Sequence, residues 1–167
     1  MIVAGLDCST KMSGVSIMED GELKFHALID IHKEKDVMKR IRTMLVKICE
    51  VLDKYDVDAI YMEKAFSKQN VDTTMKLANM AGGIMFYCAK NNIDFVHPLP
   101  TEWRKKIGIQ QSNKVKRETL KAEAIASVKK EYGIDVNDDV AESILIARSA
   151  FDLPNVEMDE EEFLVLI

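Results

Sequence analysis

Residues 2–18 have the sequence IVAGLDCSTKMSGVSIM, and this stretch decides the predicted fold. Its first part, Ile2–Leu6, is a short apolar run that suits a buried central strand. A second β-type run spans Ser13–Met18, and the small polar residues between the runs favour a turn, so the stretch predicts a β-hairpin. Asp7 closes the first strand. It either caps the turn through backbone N–H groups or binds a metal ion or phosphate, and the hairpin alone leaves both interpretations open.

Length and cysteine content predict an intracellular protein with one main domain. The 167 residues are enough to bury a full hydrophobic core. No apolar run approaches the roughly 20 residues that cross a bilayer, and the N-terminus lacks the basic region of a signal peptide. The three cysteines, at positions 8, 49 and 88, match neither a zinc spacing nor a disulfide framework. We therefore expect a cytoplasmic protein with no membrane partner.

Charge is distributed unevenly along the chain. The formal net charge is −5, and five of the acidic residues lie between Glu157 and Glu162. Residues 101–131 carry nine basic and four acidic side chains, a net charge of +5. A local basic stripe of this kind is a common electrostatic footprint for nucleic acid. It is also compatible with a solvated helix face.

Apolar periodicity and turn residues divide the rest of the chain into further elements. After the hairpin, strands are predicted at 22–29, 57–62 and 94–97, which makes five in all. Helices are predicted at 33–54, at 73–90 with Asp72 as N-cap, near Thr101, at 114–131, and from Asn137 to about Phe151. Three consecutive strands followed by alternating strands and helices predict an α/β fold, a mixed sheet with helices on both faces.

Four carboxylates fall at the ends of these elements. Asp7 and Glu63 end two predicted strands, and two more acids three residues apart, Asp139 and Glu142, project from one face of the last helix. Each one alone could be a surface residue or a helix cap. Clustered together, the carboxylates would repel one another unless hard cations such as Mg²⁺ or Mn²⁺ were bound. Two such ions about 4 Å apart can clamp the attacking water and the leaving oxygen of a phosphodiester.

Over residues 1 to about 150, the sequence resembles the RuvC-type Holliday junction resolvases of the RNase H-like superfamily. Three segments carry the resemblance: GLDCSTKMSG (residues 5–14), IYMEKAF (60–66) and DVAESILIA (139–147). The second segment, with the residues that follow it, is the most specific. The last acid, usually Asp in bacterial members, is Glu142 here. Asp138 competes with Asp139 for the preceding position, which the spacing of three assigns to Asp139.

The resemblance implies a fold, an activity and an assembly. The fold would be RNase H-like, with a mixed five-stranded sheet flanked by helices on both faces. The activity would be cleavage of four-way DNA junctions with paired symmetric nicks. The reaction would use two Mg²⁺ ions per active site, and Mn²⁺ would be able to substitute. The ions would be held by Asp7, Glu63, Asp139 and Glu142. Members of the family are homodimers that pair through the helix matching residues 73–90, which would account for its apolar character and for Gly82 and Gly83.

DNA contacts are expected from an aromatic residue and from the basic stripe. Phe66 matches an aromatic residue that lies near the junction centre in the family, and stacking on a base is worth about 1–3 kcal/mol. The basic candidates are Lys68, Arg104, Lys105, Lys114, Lys116 and Arg117. Bacterial members are basic overall whereas this chain is acidic, which fits a phage-encoded or divergent member better.

Other functions remain open at this point. A related RNase H-like nuclease could act on other branched DNA or on RNA. A non-catalytic junction-binding module is a further alternative, although all four carboxylate positions are filled. The first hairpin also resembles the phosphate loop of sugar and acetate kinases, but the chain has only seven glycines and lacks a second phosphate hairpin.

The C-terminal residues form a separate feature. We expect a nuclease domain over residues 1–154 and an acidic tail over residues 155–167. A run of like charge favours disorder, yet the tail ends in the apolar segment Phe163–Ile167. We expect this segment to dock on the domain or on an unknown partner, with the acids competing with DNA for the basic stripe.

Overall fold

Five strands form a single mixed sheet. The computed structural model describes residues 1–64, 70–109 and 115–151. Strands β1 (Ile2–Asp7), β2 (Met12–Glu19) and β3 (Glu22–Asp30) form an antiparallel meander. The later strands β4 (Ala59–Met62) and β5 (Asp94–Val96) add in parallel beside β1, so the strand order is β3-β2-β1-β4-β5. The predicted mixed five-stranded sheet is confirmed.

Three of the five described helices begin where a polar N-cap side chain accepts a hydrogen bond from a backbone N–H group. The helix bounds are α1 Val37–Leu52, α2 Val71–Asn91, α3 Pro100–Lys106, α4 Arg117–Tyr132 and α5 Asp138–Arg148. The start of α1 falls later than predicted because the Asp36 side chain accepts a bond from the Lys39 amide. The predicted cap of α2 was wrong, since Asn70 accepts the bond from the Thr73 amide and Asp72 lies in the first turn.

The sheet separates two hydrophobic cores, one on each face. One core packs α1 and α2 against the sheet through Leu6, Ile60 and residues of both helices. The other packs α3, α4 and α5 through Val3, Met18 and residues such as Trp103. Successive side chains of a strand point to opposite faces, which is why Val3 and Leu6 of β1 lie in different cores. Helices on both faces were predicted, and the two cores confirm them.

Glycines and serines let α5 lie directly against the sheet. A Cβ built on Gly5 would overlap the Ser143 carbonyl oxygen and would lie 2.7 Å from the Ala147 amide nitrogen. The Ser16 hydroxyl donates a 2.8 Å hydrogen bond to the same Ser143 carbonyl. Any larger side chain at position 5 would push the helix away from β1. The close approach therefore holds α5 at a defined height above the central strands.

The adjacent glycines of α2 have different surroundings. A Cβ built on Gly83 would lie 2.6 Å from a methyl carbon of Leu45, so this glycine is needed for packing against α1 within the chain. A Cβ on Gly82 would have no atom within 4 Å. Contact with a second subunit is therefore not required to explain Gly83, and only Gly82 leaves an open surface.

Two predictions concern the ends and the environment of the chain. Among the described residues, no helix is long and apolar enough to cross a membrane. The description ends at Phe151, so the acidic tail and the proposed domain boundary at residue 154 lie outside the described residues and stay predictions.

Candidate active site

The ends of two neighbouring parallel strands bring the first two carboxylates together. Leu6 of β1 pairs with Met62 of β4, and the residues that follow them are Asp7 and Glu63. The Glu63 amide donates a 3.2 Å hydrogen bond to the Leu6 carbonyl, which continues the pairing by one residue. Because parallel strands end at the same edge of a sheet, both carboxylates emerge side by side above the central strands.

The first turn of α5 adds the other two carboxylates. Gly14 is the β2 partner of Asp7, and a Cβ built on Gly14 would overlap the carbonyl group of Asp139. The helix start therefore lies on the strand next to Asp7. Burial raises the pKa of Asp7 well above its usual range, and the charges of Glu142, Glu63 and Asp139 raise it further. The charges of the other three predicted carboxylates thus all act on Asp7, which places the four in a single cluster.

Asp138 and Asp139 are adjacent in sequence but have different partners. Asp138 forms an ion pair with Lys121 of α4. Although burial alone would raise the pKa of Asp138, the hydrogen bond and charge of Lys121 bring it below its usual value. The pKa of Asp139 is raised by burial, by Asp138 and by Glu142. Asp138 is therefore paired within the chain, while Asp139 keeps a raised pKa and belongs to the cluster that contains Glu142.

Helix α3 provides two polar contacts to the carboxylates. The indole Nε1 of Trp103 donates a 2.7 Å hydrogen bond to Oε2 of Glu63. The Nη2 atom of Arg104 lies 2.5 Å from Oε1 of Glu142 and 3.7 Å from Oε2 of Glu63. Burial raises the pKa of Glu63, and the charge of Arg104 opposes this rise. Trp103 and Arg104 thus orient two of the four carboxylates.

These two contacts were not foreseen from the sequence. No role was predicted for Trp103, and Arg104 was expected on the DNA-facing surface. The structure instead buries Arg104, which is 7% exposed, against the carboxylates, so in this arrangement its guanidinium does not face solvent or a phosphate. The one signal in the sequence was an indole donor next to a guanidinium on a short helix, and local sequence does not say which acids such a helix will meet.

The donor chemistry of the cluster fits a hard divalent cation. All four side chains offer carboxylate oxygens, the ligands that Mg²⁺ and Mn²⁺ prefer. Burial and neighbouring carboxylates raise the pKa values of Asp7, Glu63 and Asp139, so a cation among them would stabilise their ionised forms. Among the described residues, however, no three acidic, histidine or cysteine side chains are already arranged to hold an ion.

The remaining candidates for DNA contact are either exposed or lie outside the described residues. Lys105, Lys116 and Arg117 are exposed. Arg117 also lowers the pKa of Glu63 and Asp139 against the effect of burial, so its charge reaches the cluster. Three further candidates, Phe66, Lys68 and Lys114, lie outside the described residues, and their predicted DNA contacts stay predictions.

Comparison with known proteins identifies one family over most of the chain. The family model for "Crossover junction endodeoxyribonuclease RuvC" matches residues 3–146. The RuvC protein of Bifidobacterium longum (strain DJO10A) is 27% identical over 150 residues, covering 86% of this chain and 77% of that protein. The RuvC protein of Clostridioides difficile (strain 630) is 24% identical over 152 residues, covering 88% of each.

Solved structures share the fold at low sequence identity. The chain superposes on Thermus thermophilus RuvC in complex with a Holliday junction substrate with a TM-score of 0.73 and 15% identity, covering 89% of this chain and 91% of that one. A fowlpox virus resolvase in complex with Holliday junction DNA gives a TM-score of 0.60 and 16% identity, covering 90% and 96%. Residues 3–146, which the family model matches, include all four carboxylates.

Proposed function

The chain belongs to the RuvC family of crossover junction endodeoxyribonucleases, and we propose that it resolves four-way (Holliday) DNA junctions by metal-dependent phosphodiester hydrolysis. The observation that carries this proposal is the convergence of Asp7, Glu63, Asp139 and Glu142 at one sheet edge. A non-catalytic binding module would have no need to keep four mutually repelling carboxylates together, because their repulsion destabilises the folded state.

The four carboxylates are proposed to be the metal ligands and catalytic residues. When bound, two Mg²⁺ ions would activate the attacking water and neutralise the leaving oxygen, and Mn²⁺ would substitute for them. The protein's own contribution is positional. The pairing of β1 with β4 fixes Asp7 beside Glu63, the packing of α5 on Gly14 fixes Asp139, and the indole of Trp103 orients Glu63.

Exposed basic residues are proposed to hold the phosphate backbone around the site. Lys105, Lys116 and Arg117 are exposed on α3 and at the start of α4, which both pack on the face that carries α5. Contacts of this type supply affinity and register but little sequence information. We assign the same role to Lys68 and Lys114, and junction-centre stacking to Phe66, from the family resemblance.

A homodimer through α2 is proposed as the functional assembly. Large apolar side chains are exposed along this helix at Val71, Met75, Met85 and Phe86, and Gly82 adds an open surface. Positions 71, 75, 82 and 86 repeat at helical spacing, so they form a stripe on one face. Paired nicks in a symmetric junction need two active sites, and an isologous dimer is the commonest way to provide them.

The direct test compares a synthetic four-way junction with a linear duplex of the same sequence. We expect paired symmetric nicks in the junction with Mg²⁺ or Mn²⁺, none with EDTA, and little cleavage of the duplex. Asp7→Asn should abolish cleavage while junction binding is largely kept, because a metal ligand is distinct from a phosphate contact. Equal cleavage of duplex and junction, or stronger cleavage of RNA or of other branched DNA, would favour the related-nuclease alternative.

A further inference from the structure

Arg104 lies in the position where a bound cation would compensate the acidic cluster. Its Nη2 atom is 2.5 Å from Glu142 and 3.7 Å from Glu63, and the guanidinium stacks on the Trp103 ring at 4.5 Å. Only 7% of Arg104 and 6% of Glu142 are exposed. A buried carboxylate without a partner is strongly destabilising, so this guanidinium stabilises the folded protein when no metal is bound.

The same contact opposes metal binding. The Glu142 oxygen that accepts the guanidinium hydrogen bond is among the oxygens that a cation would use, and the positive charge of Arg104 repels a second cation nearby. Arg104 and a divalent cation therefore compete for Glu142.

A second carboxylate lies close enough to Arg104 for the charge of the guanidinium to act on it. Glu123 of α4 is partly buried, and burial raises its pKa while the charge of Arg104 lowers it. Glu123 is therefore the candidate acceptor for a guanidinium that leaves Glu142.

We propose that Arg104 is a positioning residue that holds Glu142 and Glu63 in place in the metal-free protein and moves from Glu142 toward Glu123 when a divalent cation binds. The proposal rests on the proposed function only in that the acidic cluster binds a divalent cation. Its consequence is that the chain compensates its own catalytic carboxylates until metal arrives, at the cost of weaker metal affinity.

The test measures Mn²⁺ affinity by calorimetry, without DNA, for the full-length protein. Arg104→Met should lower the melting temperature in EDTA and tighten Mn²⁺ binding by at least about tenfold, since the competing charge is removed. Arg104→Lys, which keeps the charge, should stay close to wild type in affinity. Lys105→Met removes an exposed charge from the same helix and should change affinity less than about twofold. Unchanged or weaker Mn²⁺ binding by Arg104→Met would overturn the proposal.

A second variant keeps the proposal testable if Arg104→Met does not fold. Glu123→Gln removes the receiving carboxylate and leaves the Arg104–Glu142 pair intact, so Mn²⁺ binding should weaken several-fold while the melting temperature in EDTA does not fall. Affinity equal to wild type would exclude Glu123 as the acceptor.

Junction cleavage is measured in parallel. If the wild-type protein binds Mn²⁺ through Asp7 but does not cut junctions, the proposed function alone is overturned. If the wild-type protein cuts junctions and Arg104→Met binds Mn²⁺ with wild-type affinity, only the role of Arg104 is overturned.

Discussion

The backbone of Asp139 occupies the space that a side chain at Gly14 would need. A Cβ built on Gly14 would overlap the Asp139 carbonyl and would lie 2.9 Å from the Val140 amide nitrogen. Since Gly14 pairs with Asp7 across the hairpin, this contact joins the first carboxylate to the helix that carries two others. The geometry of the candidate site thus depends on a residue that has no side chain.

Gly14→Ala should displace the first turn of α5. We expect a loss of about 1–3 kcal/mol in the free energy of unfolding, typical of overpacking, which corresponds to a drop of roughly 2–4 °C in melting temperature per kcal/mol. The cleavage rate should fall by more than the loss of folded protein explains, because displacement of the helix moves Asp139 and Glu142 together. Gly82→Ala is the matched control, since a Cβ there meets no atom within 4 Å. Thermal unfolding with equal losses for both variants would exclude close packing as the reason for Gly14.

Asp138→Asn and Asp139→Asn should differ although the residues are neighbours. Removing a partner that only orients a metal ligand costs about 10–100-fold, so we expect Asp139→Asn, as loss of a direct ligand, to reduce junction cleavage by more than about 100-fold. Asp138→Asn breaks a partly exposed ion pair with Lys121, which is worth about 1 kcal/mol or less. Single-turnover cleavage at saturating Mg²⁺ measures both. A more severe defect in Asp138→Asn would reverse the assignment.

The raised pKa of Asp7 predicts how stability depends on pH without metal. In the folded state Asp7 keeps its proton over a pH range in which the unfolded chain has lost it. Asp7 therefore contributes less to the free energy of unfolding as the pH rises from the usual carboxyl pKa range through the raised pKa of the folded state. Asp7→Asn cannot ionise, so in EDTA it should melt above wild type at pH 7.5, with the difference shrinking toward pH 4. Glu22→Gln, at an exposed acid, should show no such gain. An Asp7→Asn protein that is no more stable than wild type at pH 7.5 would contradict the prediction.

The proposed dimer predicts that two exposed apolar residues respond differently. Phe86 on α2 is 72% exposed and Met38 on α1 is 66% exposed, so both substitutions to lysine should be tolerated by the monomer. Phe86→Lys should weaken association at least about tenfold, because a large aromatic residue at an interface commonly contributes 2 kcal/mol or more. Met38→Lys lies off the α2 stripe and should leave association unchanged. Sedimentation equilibrium that shows a monomeric wild type at micromolar concentration would rule out this assembly.

The acidic tail predicts a change in salt dependence. Phosphate binding is driven by counterion release, so a polyanion near the basic stripe would reduce affinity most at low salt. Deletion of residues 155–167 should therefore tighten junction binding and steepen its decline with salt, as measured by fluorescence anisotropy with inactive Asp7→Asn protein. Equal affinity of the two proteins at low salt would leave the tail as a docking or structural segment.

Local sequence determined which strand ends and which helical face carry the four carboxylates. Alternating and apolar runs placed the strands that end at Asp7 and Glu63, and the spacing of three put Asp139 and Glu142 on one helical face. These features depend on residues within a few positions of one another, since strand and helix periodicity is a local property. The structure brings the four carboxylates together as expected, and their catalytic role stays a prediction.

Tertiary structure alone decided how the acids are compensated. The sequence could not show that Lys121 pairs with Asp138 rather than Asp139, or that Arg104 turns inward to Glu142 instead of outward to DNA. It also could not show that the small size of Gly83 is needed for contact with Leu45 of the same chain and not for contact with a partner subunit. Each of these contacts joins elements far apart in the chain, and its partner is set by how helices pack across the sheet. Side-chain charge and size are local, but the dielectric environment and the neighbours that give them their effect exist only once the helices have docked.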